Sequence, residues 1–572
     1  MGADATETLL TNLLDKADQS VIVRALLVAG NATVRDVSLK AASAIAKTAV
    51  DSKRADALCA KLEAVLDKPP AKADDAKRIL TTVLKLFGEL AAGLTKDSLL
   101  RVIARCTKLF GSDSHEIASS ASRAGAAILK AAIKAGTIEA SEEPLTMLNG
   151  ALEQMAAAND DAASRTAASA IAASAGALGE AALVEHGVVA KLTATLATKS
   201  KTAANARECA ALAVGQLCIT LRHRFEPYSI PLFSTLVQAF ADKDKKFADG
   251  ASIGAKDFIF ALSPLSVKMV LPALYEGMQV VGGGGRSKVE CCNLASLLAK
   301  RAPRTFGPCL FECIPLIMEC LNDSNAKVQA AAELSLQDLI TCVENAEISK
   351  TLKDRVLHAL RVPDSTLDCI DEVLMTTFCN PMDGAALSFT VPILVRGIKD
   401  ANYELVKKAT VCTSNLCALT REASDVAPFV PILLPLLENN SDHSSPEVRA
   451  ATETAVAKLL DGAGDVVDPD KRTDALAALV KTGVAKAFPA VPAAVLTYLG
   501  GTSAAMLEEK LGGVVRVQNF KDAVGELAEW IVASVEAFAG GDAGDAARVS
   551  ADAVELFKEM LSDSAKAILA QS

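Results

Sequence analysis

The 572-residue sequence predicts an all-α protein, a solenoid of stacked helix pairs giving way near residue 462 to a C-terminal four-helix bundle. Three observations predict this. Apolar segments headed by proline recur about every forty residues, the spacing of two-helix solenoid repeats. The chain is 51% hydrophobic but only 4% aromatic, so Ala and Leu do most of the packing, whereas a sandwich or barrel draws on β-branched and aromatic residues. The period then stops at a Gly/Asp-rich stretch, DGAGDVVDPDKR, beyond which four helical runs follow.

The repeat justifies itself residue by residue. Pro231, Pro272, Pro315, Pro392 and Pro431 each stand just inside an apolar segment, with one double step near Leu352. Proline costs no intrahelical bond in the first turn and kinks a helix deeper in. A second landmark follows each proline: a small or acidic turn, a branched or basic pair, then an Ala-rich helix. Copies stand at Lys327–Val328, Val406–Lys407 and Val448–Arg449, with earlier ones at Val34–Arg35, Arg165 and Arg207. Asp, Ser or Asn before the second helix caps its free N–H groups. Alanine keeps that helix thin, and each pair buries its apolar stripe only against its neighbours. Roughly nine or ten HEAT/ARM-type pairs are expected before about residue 462.

The end of the period sets one boundary, with repeats up to 462 (the N-terminal ones least regular) and the bundle at 463–572. The bundle helices are expected near 470–482, 486–499, 503–538 (broken at Gly512–Gly513) and 542–570. Val524, Leu527, Ile531, Val535 and Phe538 share one helical face, and helices joined by short loops argue for an antiparallel bundle. Trp530, the single tryptophan, reads as a bundle core anchor rather than a docking residue.

Composition excludes several classes. This much apolar surface offsets the entropy of ordering, so the chain is not disordered. No uncharged apolar run reaches a membrane span of about 18 residues. Net charge is −10, with 17 acids against 10 bases from Asp461 onward, so no whole-chain basic field draws nucleic acid. Fourteen cysteines in so long a chain read as reduced core thiols of a cytoplasmic protein. The N-terminus lacks the basic and apolar regions of a secretory signal. Gly2 with Thr6 fits the short myristoylation pattern, but an ordinary start residue is the preferred reading.

No catalytic, metal or cofactor residues are expected. The nearest approach to a phosphate loop, Gly282 to Lys288, lacks the Gly-Lys-Ser/Thr order and reads as an inter-helix turn, with a weaker anion-contact reading through Arg286 and Lys288. His115, His186, His223, His358 and His443 are scattered, and Cys309, Cys313 and Cys320 have no partner motif and read as core. Surface remains. Basic clusters occur along the chain, several of them at turns between repeat helices: Lys199 and Lys201; Arg222–His223–Arg224; Lys243, Lys245 and Lys246; Arg286 and Lys288; Lys300, Arg301 and Arg304; Lys407 and Lys408. Any one alone is a solvated turn, yet turns at matching places in successive repeats align into a rim that can meet phosphates.

Certain runs resemble the HEAT region of fungal-type translation elongation factor three. They are KTAANARECAALAVGQL (Lys201 to Leu217), EPYSIPL at Glu226 and KDKKFADGA at Lys243, then AALSFTVPILVRGI (Ala385 to Ile398), KKATVCTSNLCAL, DVAPFVPILLPLLENN and PEVRAAT. The resemblance covers about 185–460, which implies a division of the repeats into 1–184 and 185–462, and the tail stands where that family places its four-helix bundle. The large coactivator that senses stalled ribosomes carries a similar segment. The family's ATP-binding cassettes would follow the bundle, but this sequence stops at Ser572, so ATP hydrolysis is not carried over. What the resemblance implies is a docking arm for ribosomal RNA and proteins. The alternative is a scaffold subunit making protein contacts in a non-ribosomal assembly, which the acidic balance favours.

Overall fold

The computed structural model describes residues 52–464, apart from breaks at 68–72, 110–111, 113, 135–142, 159, 180, 201–202 and 281–284, together with 493–511, 526–535 and isolated positions nearby. The copy at Val34–Arg35 and most of the C-terminal segment lie outside the described residues. The chain divides into two compact units: residues up to Phe225 with Lys243–Gly254, and Glu226–Asp242 with the residues from Ala255 onward.

Helices make up both units. In the first are α1 (Ser52–Asp67), α2 (Ala73–Leu90), α3 (Lys96–Leu109), α4 (His115–Lys134), α5 (Glu143–Ala157), α6 (Asp161–Leu178), α7 (Val188–Ala197) and α8 (Ala204–Leu221). The next pair is α9 (Glu226–Ala239) and α10 (Lys245–Ala261). The second unit continues with α11 (Val267–Met278), α12 (Gly285–Arg301), α13 (Leu310–Leu321), α14 (Ala326–Leu339), α15 (Lys353–Arg361) and α16 (Thr366–Met375). Then come α17 (Gly384–Ile398), α18 (Tyr403–Ala418), α19 (Val430–Asn439), α20 (Pro446–Ala463) and α21 (Ala493–Leu511). Ten helix pairs therefore stand among the described residues before 464. The only extended pairing among those residues is an isolated bridge between Met382 and Thr420.

Each unit has two layers. First helices stack on first helices: α1 on α3 and α3 on α5 in one unit; α9, α11, α13, α15, α17 and α19 in turn in the other. Second helices stack likewise: α2, α4, α6 and α8 in the first unit, with α12 on α14 and α16 on α18 on α20 in the second. This is HEAT-type solenoid packing, and small residues permit it. Ala167, Ala168, Ala170 and Ala175 of α6 and Ala210, Ala211 and Ala213 of α8 are all buried. A Cβ at Gly254 would stand 2.3 Å from the Ala211 carbonyl oxygen, so only glycine fits that crossing. Larger side chains fill the wider gaps; Phe233 and Phe258 stack with ring centroids 4.7 Å apart, each burying about 1.5–3 kcal/mol of apolar surface.

Side-chain caps form at several of the predicted turns, although Ser445 makes none before α20. Asp160 Oδ1 accepts from the Ala163 N–H at 2.7 Å, Asn325 from Lys327 at 3.0 Å, Asp383 from Ala386 at 2.8 Å and Asn402 from Glu404 at 3.0 Å. The repeat prolines take both placements: Pro431 stands in the first turn of α19, whereas Pro231, Pro272, Pro315 and Pro392 lie deeper inside α9, α11, α13 and α17. The forty-residue period reappears as a ladder of bonds between neighbouring pairs. Ser164 Oγ donates to the Asn205 carbonyl at 3.1 Å, Ser335 Oγ to Cys292 at 3.1 Å, Arg396 Nη1 to Ala359 at 2.7 Å and Asn440 Nδ2 to Ile398 at 3.3 Å.

Burial is not wholly sequential, contrary to the simplest solenoid expectation. Helix α21 packs on α9, on the turn Pro264–Ser266 and on α11, more than 200 residues earlier in the chain. Trp530 is only half-buried, beside buried Leu527, Ala528, Ile531 and Val535; Val524 and Phe538 lie outside the described residues. All cysteines are free, and all but Cys379 are buried. Burial pushes the thiols of Cys59 and Cys342 up to about 12 and those of Cys369 and Cys417 to about 11, which keeps them protonated and inert.

Candidate functional site

The basic turns are positioned by the helix boundaries. In the first unit, Lys199 stands exposed in the turn before α8, and Lys201 lies outside the described residues. Helix α8 ends at Leu221, and the chain leaves it through a short 3-10 turn, Arg222–Arg224. Fully buried Phe225 anchors that turn, leaving Arg222, His223 and Arg224 exposed above it. Arg222 has φ 52°, the only positive φ of a non-glycine among the described residues. An L-residue held there costs about 1–2 kcal/mol. Burial, then the neighbouring Arg224 charge, holds the His223 imidazole below its usual range.

Lys243 and Lys245 are exposed where α10 begins. Lys246 is committed: its Nζ lies 2.7 Å from Asp161 Oδ1, and the hydrogen bond holds the Asp161 carboxyl below its usual range. In the second unit most candidate cations are paired across neighbouring repeats, whereas Lys246 reaches back two repeats. Lys288 bonds Asp323 at 2.7 Å, Lys300 bonds Asp338 at 2.8 Å, Lys408 bonds Asp371 at 2.8 Å, and Lys407 bonds Glu447. Arg301 lies over the Phe260 ring, 4.6 Å from its centroid, and donates to the Phe260 carbonyl at 2.9 Å. Arg286 is half-buried in the first turn of α12 and Arg304 is exposed.

Apart from Arg224, Arg286 and Lys201 (outside the described residues), the expected rim sorts into two sets. Lys246, Lys288, Lys300, Arg301, Lys407 and Lys408 act as rungs between repeats. Lys199, Arg222, Lys243, Lys245 and Arg304 are exposed and make no ion pair among the described residues. Exposed rungs contribute little stability each, but they occupy charges that a ligand would need.

One cluster escaped the sequence reading. Glu344, Asp383, Glu422 and Asp425 gather at the turns of successive pairs. Asp383 accepts from the Glu344 N–H at 2.6 Å as well as capping α17. Burial, reinforced by the Asp383, Glu422 and Glu344 charges, pushes the Asp425 carboxyl up to about 6. The spacing of Asp383 and Asp425, close to one repeat, was the available signal. Among the described residues no group of three or more His, Cys, Asp or Glu side chains could hold a metal ion, and no helix is long and apolar enough to cross a membrane.

Two family models match the stacked pairs. Residues 164–336 match "EF3 N-terminal HEAT repeat" and residues 365–470 match "Elongation factor 3/GNC1 HEAT repeat". Protein ILITYHIA of Arabidopsis thaliana is 33% identical over 293 residues, 50% of this chain and 11% of that protein. The human stalled ribosome sensor GCN1 is 30% identical over 260 residues, 45% of this chain and 10% of that protein. Elongation factor 3 of Gonapodya prolifera is 29% identical over 318 residues, 53% of this chain and 29% of that protein. The chain therefore matches about a tenth of the two larger relatives and under a third of elongation factor 3. Among solved structures, a Kap121p mutant aligns over 96% of this chain and 60% of that chain at 16% identity and TM-score 0.41, too distant to add to this. Matched family models and stacked helix pairs coincide, and residues 164–336 and 365–470 are HEAT repeats of the elongation factor 3 type.

Proposed function

We propose that this chain is a non-catalytic, cytoplasmic binding arm of the translation machinery that docks on the ribosome through its HEAT repeats. The observation that carries this reading is the match of two elongation factor 3 repeat models to the residues that form the helix pairs. The name of the GCN1 relative, a stalled ribosome sensor, points the same way. Lys199, Arg222, Lys243, Lys245 and Arg304 are the side chains we assign to RNA phosphates. Their charge is not spent on neighbouring repeats, and phosphate contacts need exposed cations rather than a basic whole chain. We also keep 463–572 as a distinct C-terminal helical segment following the repeats. Ribosome co-sedimentation of the purified chain tests the reading: binding that weakens as salt rises supports it, and a chain left in the supernatant at low salt ends it.

A second reading is a scaffold subunit of a non-ribosomal assembly. The pairing of Lys288, Lys300, Lys407 and Lys408 favours it, because it leaves much of the second unit's edge electrically neutral. Affinity capture followed by mass spectrometry separates the two: ribosomal proteins in one case, a defined non-ribosomal set in the other.

A further inference from the structure

Glu226, the first residue of α9, is a charged side chain only 4% exposed. A buried carboxylate is tolerated only with donors to meet it. Its Oε1 accepts from the Ser263 N–H at 2.6 Å, and its Oε2 from Ser266 Oγ at 2.7 Å. Both of those donors lie about one repeat further on, in the turn before α11. The third does not: the Tyr498 hydroxyl of α21 donates to Oε2 at 3.0 Å across a separation of 272 residues. Burial pushes the Glu226 carboxyl above its usual range, and these three bonds oppose that shift.

The helix that brings Tyr498 is shaped for the face it covers. Val495, Tyr498, Leu499, Thr502 and Ser503 are all buried, and their spacing makes one stripe along α21. Two adjacent glycines let the helix approach on both flanks. A Cβ at Gly501 would stand 2.7 Å from Met269 Sδ of α11, and one at Gly500 would stand 2.7 Å from the Ala477 carbonyl oxygen.

We propose that α9, the Pro264–Ser266 turn and α11 form a helix-docking site whose occupant is α21 of the same chain, with Glu226 selecting it through the Tyr498 hydroxyl. Docking ties α21 to the first helices of two successive pairs and closes that face to partners in trans. The exposed cations assigned to phosphates play no part in this contact, so it stands whether or not the chain binds ribosomes.

Hydrogen exchange of the full chain carrying Tyr498→Phe tests the selection. Phenylalanine keeps the apolar contact but removes the third donor from a buried carboxylate. Exchange in both 226–239 and 493–511 should quicken at least about tenfold, with 403–418 unchanged. Unaltered exchange in 226–239 overturns the role of Glu226. A cysteine pair tests the occupant independently: Met269→Cys with Gly501→Cys, in a Cys379→Ser background, under mild oxidation. An intramolecular cross-link is the expected product. No cross-link, or a cross-linked dimer showing a second copy on the face, overturns the assignment.

Discussion

Arg222 is the residue where local strain and exposure coincide. Its φ of 52° suits glycine, and nothing in the packing of buried Phe225 requires an arginine above it. Arg222→Gly is expected to raise unfolding stability by about 1 kcal/mol, read from urea denaturation, while weakening ribosome binding. Asp425 makes a second prediction. Its folded-state carboxyl titrates near 6 against an ordinary value of 3.8, so the folded chain binds this proton more tightly than the unfolded one. Stability from this group therefore rises as pH falls from about 6 to about 4 and is lost again as pH climbs back through that window. Asp425→Asn should flatten that slope and stabilise the chain at pH 7 by up to about 3 kcal/mol, seen in denaturation curves across pH. The basic clusters were legible in the sequence as runs of Lys and Arg, although Lys407 and Lys408 lie inside α18 and Lys288 inside α12 rather than in turns. Their acidic partners were not, since the mate of Lys407 or Lys288 is chosen by how one repeat seats on the next.

Among the elements, the helix pairs follow from local chemistry. Asp160, Asn325, Asp383 and Asn402 cap the helices their positions predict. The prolines marked the repeats correctly, yet Pro231, Pro272 and Pro315 lie within helices rather than at their first turn. Each lacks the N–H that would otherwise bond one turn back. Close crossings were harder to read, because a glycine inside a helix looks the same whether or not a carbonyl lies against it. Gly254 is such a crossing, 2.3 Å from backbone to a built Cβ. Gly254→Ala should lower stability by about 1–3 kcal/mol, measured by thermal denaturation, since a carbonyl cannot swing aside as a side chain can. The half-buried Trp530 had pointed to a core anchor on residue type alone; its neighbours Leu527 and Ile531 take the buried face instead.

For the whole molecule, the period of the sequence and the period of the bonding are the same quantity. Hydrogen bonds such as Ser335 to Cys292 and ion pairs such as Lys408 to Asp371 each join residues about one repeat apart. Such a core grows by addition of neighbours, which is why a moderate hydrophobic content with few aromatics suffices. The docking of α21 had no local signature: no periodicity links Tyr498 to Glu226, and only the folded chain brings them together. The net charge of −10 likewise conceals that, among the described residues, several candidate cations act as rungs while others are exposed without an ion pair. That division is most directly tested by ribosome co-sedimentation over a salt series with two variants. One replaces Lys199, Arg222, Lys243 and Lys245 with alanine; the other replaces Lys288, Lys407 and Lys408. The first is expected to bind far more weakly, with a log-affinity against log-salt slope shallower by roughly 3, and the second to bind as the unaltered chain does. Equal losses in both variants, or none in the first, would contradict it.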